Sequence, residues 1–116
     1  MRNNHKFLTV TADRHIDSLR GLASPARMRI LQLLHDEGSL NINEISVALS
    51  MPQSTVATNV LILEETGLVI AEAAKGKKGH QKICSIRYDE ILIRFDRLES
   101  KRDPDIIEIS ETLNWR

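Results

Sequence analysis

The spacing of apolar residues predicts two amphipathic helices in the first part of the chain. The first is expected over residues 11–22, where apolar side chains recur at helical intervals. The second is expected between Pro25 and Gly38, because Ser24 is a good N-cap and a proline at the first helical position loses no hydrogen bond. Its apolar face is broad, so we expect it to be the central helix of the core.

A very short strand and a third helix are predicted next. Leu40 and Ile42 favour the strand, and Asn43 is a suitable N-cap for a helix over residues 44–49. Ile42 and Val47 stand at the two positions of a hydrophobic staple, which fixes how the chain enters a helix. The helix is too short to form a core by itself, so its expected role is to position its neighbour.

A fourth helix is predicted over residues 53–66, with Pro52 at or next to its start. Val56, Val60 and Leu63 repeat at i, i+4 and i+7, which predicts an inward stripe. The opposite surface then carries small or polar side chains and one leucine, with Gln53 at the exposed start: Ser54, Thr55, Ala57, Thr58, Leu61 and Glu65. Small side chains on that surface would let the helix backbone come close to the edges of bases.

The segment after the fourth helix predicts a β-hairpin with a basic tip. Residues 68–74 and 81–88 are rich in β-branched side chains, and they flank the basic, glycine-containing segment 75–80. We call residues 75–82 the wing. Four lysines and one histidine concentrate there.

Beyond Tyr88 the pattern fits two alternatives, since residues 91–95 alternate as in a strand and residues 91–98 also fit a helix. The predicted fold class is α+β, mainly α: a winged helix-turn-helix with a two-stranded β-hairpin wing. Residues 1–88 form the predicted DNA-binding domain. Residues 89–116 are expected to serve dimerisation, or to lead into an effector domain that the chain does not contain.

Charge and composition allow a nucleic acid as partner without requiring one. The formal net charge is zero, but residues 1–88 carry 11 Lys and Arg against 8 Asp and Glu, a balance of +3, and residues 89–116 carry 5 against 8, a balance of −3. Local charge matters more for binding than the total. No apolar run approaches the ~20 residues of a membrane span, and a single cysteine fits a reducing compartment. We therefore expect a cytoplasmic protein that binds no membrane.

The sequence offers no pattern for catalysis, a metal or a cofactor. It contains no nucleophile–base pairing, no metal-ligand spacing and no phosphate-binding glycine loop at the start of a helix. Cys84, alone in a strand, is expected to be a packing residue. We predict that the protein is not an enzyme.

Two short helices that meet at a turn, followed by a basic hairpin, are the layout of a helix-turn-helix with a wing, which fits the DNA major groove. The residues expected to contact DNA are Gln53, Ser54, Thr55, Ala57, Thr58, Asn59, Lys75, Lys77, Lys78, His80 and Lys82. Each has an alternative role: the helix surface could simply be solvated, the lysines could keep the hairpin soluble, and Asn59 could bond within the domain. Arg27 and Arg29 fit either phosphate contact or solvent exposure.

Three segments in order resemble the arsenic-repressor-like (ArsR-type) regulators: residues 22–31 (LASPARMRIL), 52–56 (PQSTV) and 63–69 (LEETGLV). The resemblance spans residues 12–88 and implies a winged helix-turn-helix, a homodimer, and repression relieved by an effector. Metal-sensing members carry a cysteine pair where this chain has Asn41 and Asn43, and no histidine follows His80 to build the other common site. The resemblance therefore points to a branch that does not sense metals.

The leading hypothesis is a homodimeric repressor that reads an inverted repeat in double-stranded DNA through helix 53–66 and the wing. The effector is not identified. One alternative is the isolated DNA-binding part of a longer, effector-responsive regulator. Another, from a different class, is a winged-helix module for protein–protein contact, which the sparse basic charge on the fourth helix would suit.

Overall fold

Helices α1 to α4 and strands β1 to β5 follow one another in a computed structural model that describes residues 5–76 and 79–96. For residues 75, 76, 79 and 80 only the backbone is described. The elements are β1 (Phe7–Val10), α1 (Ser18–Leu22), α2 (Pro25–Glu37), β2 (Leu40–Asn41), α3 (Ile42–Leu49), α4 (Gln53–Glu65), β3 (Val69–Gly76), β4 (Gly79–Ile86) and β5 (Glu90–Ile93).

The core forms where α4 packs on α2 and α3. Val56, Val60 and Leu63 are fully buried, as their helical spacing predicted. They meet Ile30 of α2 and Ile45 of α3, which are equally buried. Burying each such side chain contributes about 1.5–3 kcal/mol. This stripe fixes which side of α4 faces outward.

The hairpin is confirmed, with strands that extend two residues closer to the tip on each side than predicted. β3 and β4 pair antiparallel from Val69 with Ile86 as far as Gly76 with Gly79, so only two residues lie between the strands. β2 adds to the other edge of β4, where Leu40 pairs with Cys84. The sheet order is therefore β2-β4-β3.

The predicted first helix is wrong over most of its length. Thr11 and Arg14 exchange two backbone hydrogen bonds of 3.2 Å in a turn, and His15 has a positive φ of 56°, which a helix does not allow. Only Ser18–Leu22 is helical, and Ile16 is 55% exposed. A local turn thus overrides the helical spacing of the apolar residues.

The start of α3 also differs from the prediction. Asn41, and not Asn43, is the N-cap: its side chain accepts from Glu44 N–H at 2.7 Å, and the Glu44 carboxylate accepts from Asn41 N–H at 2.8 Å. Ile42 is consequently the first helical residue. The expected staple with Val47 is absent, since Val47 is 71% exposed. Asn41 also belongs to β2, so the chain passes directly from strand to capped helix.

Of the two alternatives after Tyr88, the structure has the strand. β5 pairs in parallel with β1, an N-terminal strand that the sequence did not predict, with Leu8 opposite Ile91. Residues 97–116 lie outside the described part, so the predicted role of the segment 89–116 stays a prediction.

Within the described ranges, no single helix has the length and apolar character to cross a membrane. α3 and α4 have the length and apolar character of a membrane span only when they are taken together, and the two helices meet at a bend of 115°.

Candidate nucleic-acid interface

One surface of α4 is open and carries small side chains. Ser54, Thr55, Ala57 and Thr58 are all exposed, on the side opposite the buried stripe. With Asn59, the three hydroxyl residues line a shallow hollow of about 270 Å³. Hydroxyl groups both donate and accept hydrogen bonds, so this surface can match several base-edge patterns.

The N-terminus of α4 is left open, unlike those of the two helices before it. Ser24 caps α2 by accepting from Arg27 N–H, and Asn41 caps α3. Pro52 precedes α4, and no side chain in the described residues caps that end. The first N–H groups of a helix carry partial positive charge and bind anions such as phosphate. α4 therefore offers polar groups at its tip as well as along its outer face.

Gln53 is exposed and held by α3. Its Nε2 donates to Asn43 Oδ1 at 2.7 Å, which joins the first residue of α4 to the start of α3. No described residue donates a hydrogen bond to the carbonyl oxygen of the Gln53 amide, so this oxygen can act as an acceptor. Asn43, which the sequence suggested as a helix cap, is thus a positioning residue for Gln53.

Asn59 is used inside the domain. Its Oδ1 accepts from Arg27 Nη1 at 3.0 Å, and its Nδ2 donates to the Thr55 carbonyl at 2.9 Å. The side chain is only partly exposed. Of the two roles considered from the sequence, this geometry favours the internal one.

Arg27 connects three helices, a role that the sequence left undecided. Besides Asn59 on α4, its guanidinium donates to the carbonyls of Gly21 at 3.0 Å and Arg20 at 3.2 Å, both on α1. The planar guanidinium group has five N–H donors, so it can bond several acceptors at once. Arg29 makes one such bond, to the Leu49 carbonyl at 3.2 Å. No sequence signal could have found these partners, because they lie on other elements.

The structure describes part of the wing. Lys82 lies on β4 and pairs with Glu64 of α4 at 3.1 Å, so its charge is partly offset. Lys75 and His80 are opposite each other in the β3–β4 register. Lys77 and Lys78, which the sequence predicts as DNA contacts, are outside the described residues.

Leu61 lies on the outer side of α4 and is 48% exposed. Nothing in the structure explains a large apolar residue there.

A larger hollow of about 600 Å³ opens between α2 and β5 and shares no lining residue with the α4 surface. Its walls are mostly apolar, with Met28 and Leu31 from α2 and Ile91 from β5. Asp89, whose carboxylate is 3% exposed, closes one end beside His35 at 3.7 Å. The hollow therefore lies between α2 and β5, on a part of the surface separate from the hollow on α4.

Residues 22–70, which contain α2 to α4, match the family model for a helix-turn-helix domain. The hairpin β3–β4 follows that domain directly. This chain is a winged helix-turn-helix protein. No curated protein matches it by sequence.

Solved structures agree with this winged helix-turn-helix assignment. The chain is similar, at 28% identity and a TM-score of 0.51, to the homodimeric winged helix-turn-helix DNA-binding domain of a possible ArsR-family transcriptional regulator from Mycobacterium bovis. That match covers 60% of each chain, so the protein spans about three fifths of the relative's length. The predicted resemblance to ArsR-type regulators is confirmed, whereas the branch that does not sense metals stays a prediction.

Two further structures share the fold. The repressor PagR of Bacillus anthracis is 22% identical with a TM-score of 0.52, and the match covers 84% of this winged helix-turn-helix chain and 90% of PagR. The repressor BigR of Xylella fastidiosa is also 22% identical, with a TM-score of 0.53, covering 66% of this chain and 72% of BigR.

Proposed function

We propose that this winged helix-turn-helix protein is a homodimeric transcriptional repressor that binds an inverted repeat in double-stranded DNA through α4 and the wing. The observation that carries the proposal is the outer surface of α4: exposed hydroxyl groups, an exposed glutamine held by Asn43, and an uncapped N-terminus. The expected DNA contacts on α4 are Gln53, Ser54, Thr55, Ala57 and Thr58.

The chemistry of this surface suits the major groove. That groove is ~12 Å wide and admits a helix, and its base edges present donors and acceptors in distinct patterns. A glutamine amide can bond adenine, serine and threonine can bond either kind of group, and an alanine or a threonine methyl can contact the methyl group of thymine. Small side chains bring the helix close enough to make these contacts.

Charge for the DNA backbone must come mostly from outside α4. α4 contains no lysine or arginine, and its two charged residues, Glu64 and Glu65, lie at its C-terminal end. The lysines of the wing are the expected source, because phosphate contacts provide most of the affinity that does not depend on sequence. α4 would therefore recognise the base sequence, and the wing would bind the phosphate backbone.

A two-fold dimer would present two copies of α4 to half-sites about one helical turn apart, roughly 34 Å. The M. bovis relative is a homodimer, which supports this arrangement. An inverted repeat is the DNA counterpart of a two-fold protein axis.

The test is a binding titration of the full chain on the DNA upstream of its own gene and on unrelated DNA of equal length, repeated over a range of salt concentrations. We expect a preference for the upstream DNA on the order of a thousandfold or more at physiological salt. Equal affinity at every salt concentration would contradict the proposal and favour a role in protein–protein contact.

A further inference from the structure

In the described part of the chain, the sheet formed by β1 and β5 has an open outer edge at β5. It has two parallel strands, and within the described ranges β5 pairs with β1 alone. Parallel sheets are almost always covered on both faces, and a two-stranded sheet is marginal by itself. The outer edge of β5 thus presents backbone N–H and C=O groups that another strand could pair with.

Apolar side chains surround this edge. Leu92 is 41% exposed, Ile93 44%, Phe7 on the neighbouring strand 56%, and Phe95 just after β5 93%. An apolar edge strand of this kind is a site for pairing with another chain.

We propose that β5 forms the dimer interface between two copies of this chain. The two β5 strands would pair antiparallel about a two-fold axis at Leu92. The inference deepens the proposed function, since it rests on the homodimer and names its interface. The product would be a four-stranded sheet in the order β1-β5-β5-β1.

The sequence of β5 is complementary to itself in this arrangement. Alternate residues share one side of a strand, so Glu90, Leu92 and Arg94 are on the same side. About an axis at Leu92, Glu90 is opposite the partner's Arg94, Leu92 is opposite its own copy, and Arg94 is opposite the partner's Glu90. Two ion pairs therefore flank an apolar centre.

Of the two charged groups, Glu90 is the more exposed, and the Arg94 side chain is 19% exposed. Glu90 is 67% exposed, with His5 Nε2 at 3.3 Å as its neighbour. Arg94 donates to Asp96 through Nε at 3.1 Å and Nη2 at 2.7 Å, and the guanidinium has further donors. Arg94 N–H bonds the Val10 carbonyl, so the backbone stays beside β1 up to that residue.

The other open edge does not offer this match. β1 is preceded by Lys6 and contains no charged residue, so an antiparallel copy of β1 would bring no opposite charges together. Charge complementarity thus selects β5, and it selects a second copy of the chain over an unrelated strand.

The test uses two charge variants of the full chain, Glu90→Arg and Arg94→Glu. In a homodimer of either variant, both ion pairs become pairs of like charges. Each variant should therefore dimerise roughly tenfold more weakly than the wild type. When the two variants are mixed, both pairs are attractive again. We therefore expect native mass spectrometry of the mixture to show mainly the mixed dimer.

A matched pair of leucine variants gives an independent check. Leu92→Lys should shift the chain to monomer in analytical ultracentrifugation, whereas Leu61→Lys, the same change at a similarly exposed position on α4, should leave the dimer unchanged. Circular dichroism would verify that both variants are folded.

Three outcomes would overturn the inference. Random mixing of the two charge variants would place the dimer interface elsewhere while leaving the homodimer intact. An equal effect of both leucine variants would do the same. A monomeric wild-type chain would refute the homodimer as well as its interface. The DNA preference, measured separately, would still decide the role of α4.

Discussion

At the scale of single residues, Cys84 links burial to a pH dependence of stability. It is fully buried in β4, and this burial raises the pKa of its thiol. As pH rises, the unfolded chain loses the thiol proton first, so above about pH 8.5 the folded state binds more protons than the unfolded state. The free energy of unfolding should therefore fall with rising pH in that range.

Urea denaturation of the wild type and Cys84→Ala at a series of alkaline pH values would measure this effect. The informative quantity is the difference between the free energies of unfolding of the two proteins, because contributions common to both cancel in it. It should shrink as pH rises, by at most about 1.4 kcal/mol per pH unit. A difference that stays constant would show that the thiol does not titrate differently in the two states.

Residue-level features were predictable where they depend on local spacing alone. The helical period of Val56, Val60 and Leu63 sets the buried side of α4, and with it the exposure of Ser54 and Thr55, all of which the sequence predicted correctly. The hydrogen bond from Arg27 to Asn59 was not predictable from the sequence. Those residues are 32 positions apart, and only the packing of α2 on α4 brings them together.

At the scale of elements, helix capping separates two asparagines that look alike in sequence. Asn41 forms the capping box of α3, whereas the Asn43 side chain accepts a hydrogen bond from the exposed Gln53. Asn41→Ala should lower the free energy of unfolding by about 1 kcal/mol, and Asn43→Ala by less than about 0.5 kcal/mol. Urea denaturation of both variants checks this. A larger loss for Asn43→Ala would place the cap where the sequence alone suggested it.

The N-terminal elements show why some structure lies beyond sequence patterns. Residues 11–22 have helical spacing, but β1 exists only because β5, more than eighty residues away, pairs with it. Once Leu8 and Val10 are buried there, the chain must turn at Thr11, and only Ser18–Leu22 remains helical. Long-range pairing of this kind leaves no local signal, whereas the β3–β4 hairpin, which is local, was predicted.

At the scale of the whole molecule, two surfaces carry separate tasks in this account. We propose that the outer side of α4 faces DNA and that the edge of β5 faces a second copy of the chain. A net charge of zero is compatible with this division, because the lysines concentrate in the wing and the acidic excess lies after residue 88. The affinity for DNA in general should then depend on the wing, and the preference for one DNA sequence should depend on α4.

The most direct test compares two double variants, Ser54→Ala/Thr55→Val and Lys77→Ala/Lys78→Ala, in salt titrations on upstream and unrelated DNA. The α4 variant should lose most of the preference for upstream DNA, since each base contact is worth about 1–3 kcal/mol, with the salt dependence unchanged. The wing variant should keep the preference, and the slope of log K against log salt should decrease in magnitude by about 1.8. The proposed division between sequence recognition by α4 and phosphate binding by the wing would be contradicted by either of two results. One is an α4 variant that keeps the full preference for upstream DNA, and the other is a wing variant that keeps the full salt dependence.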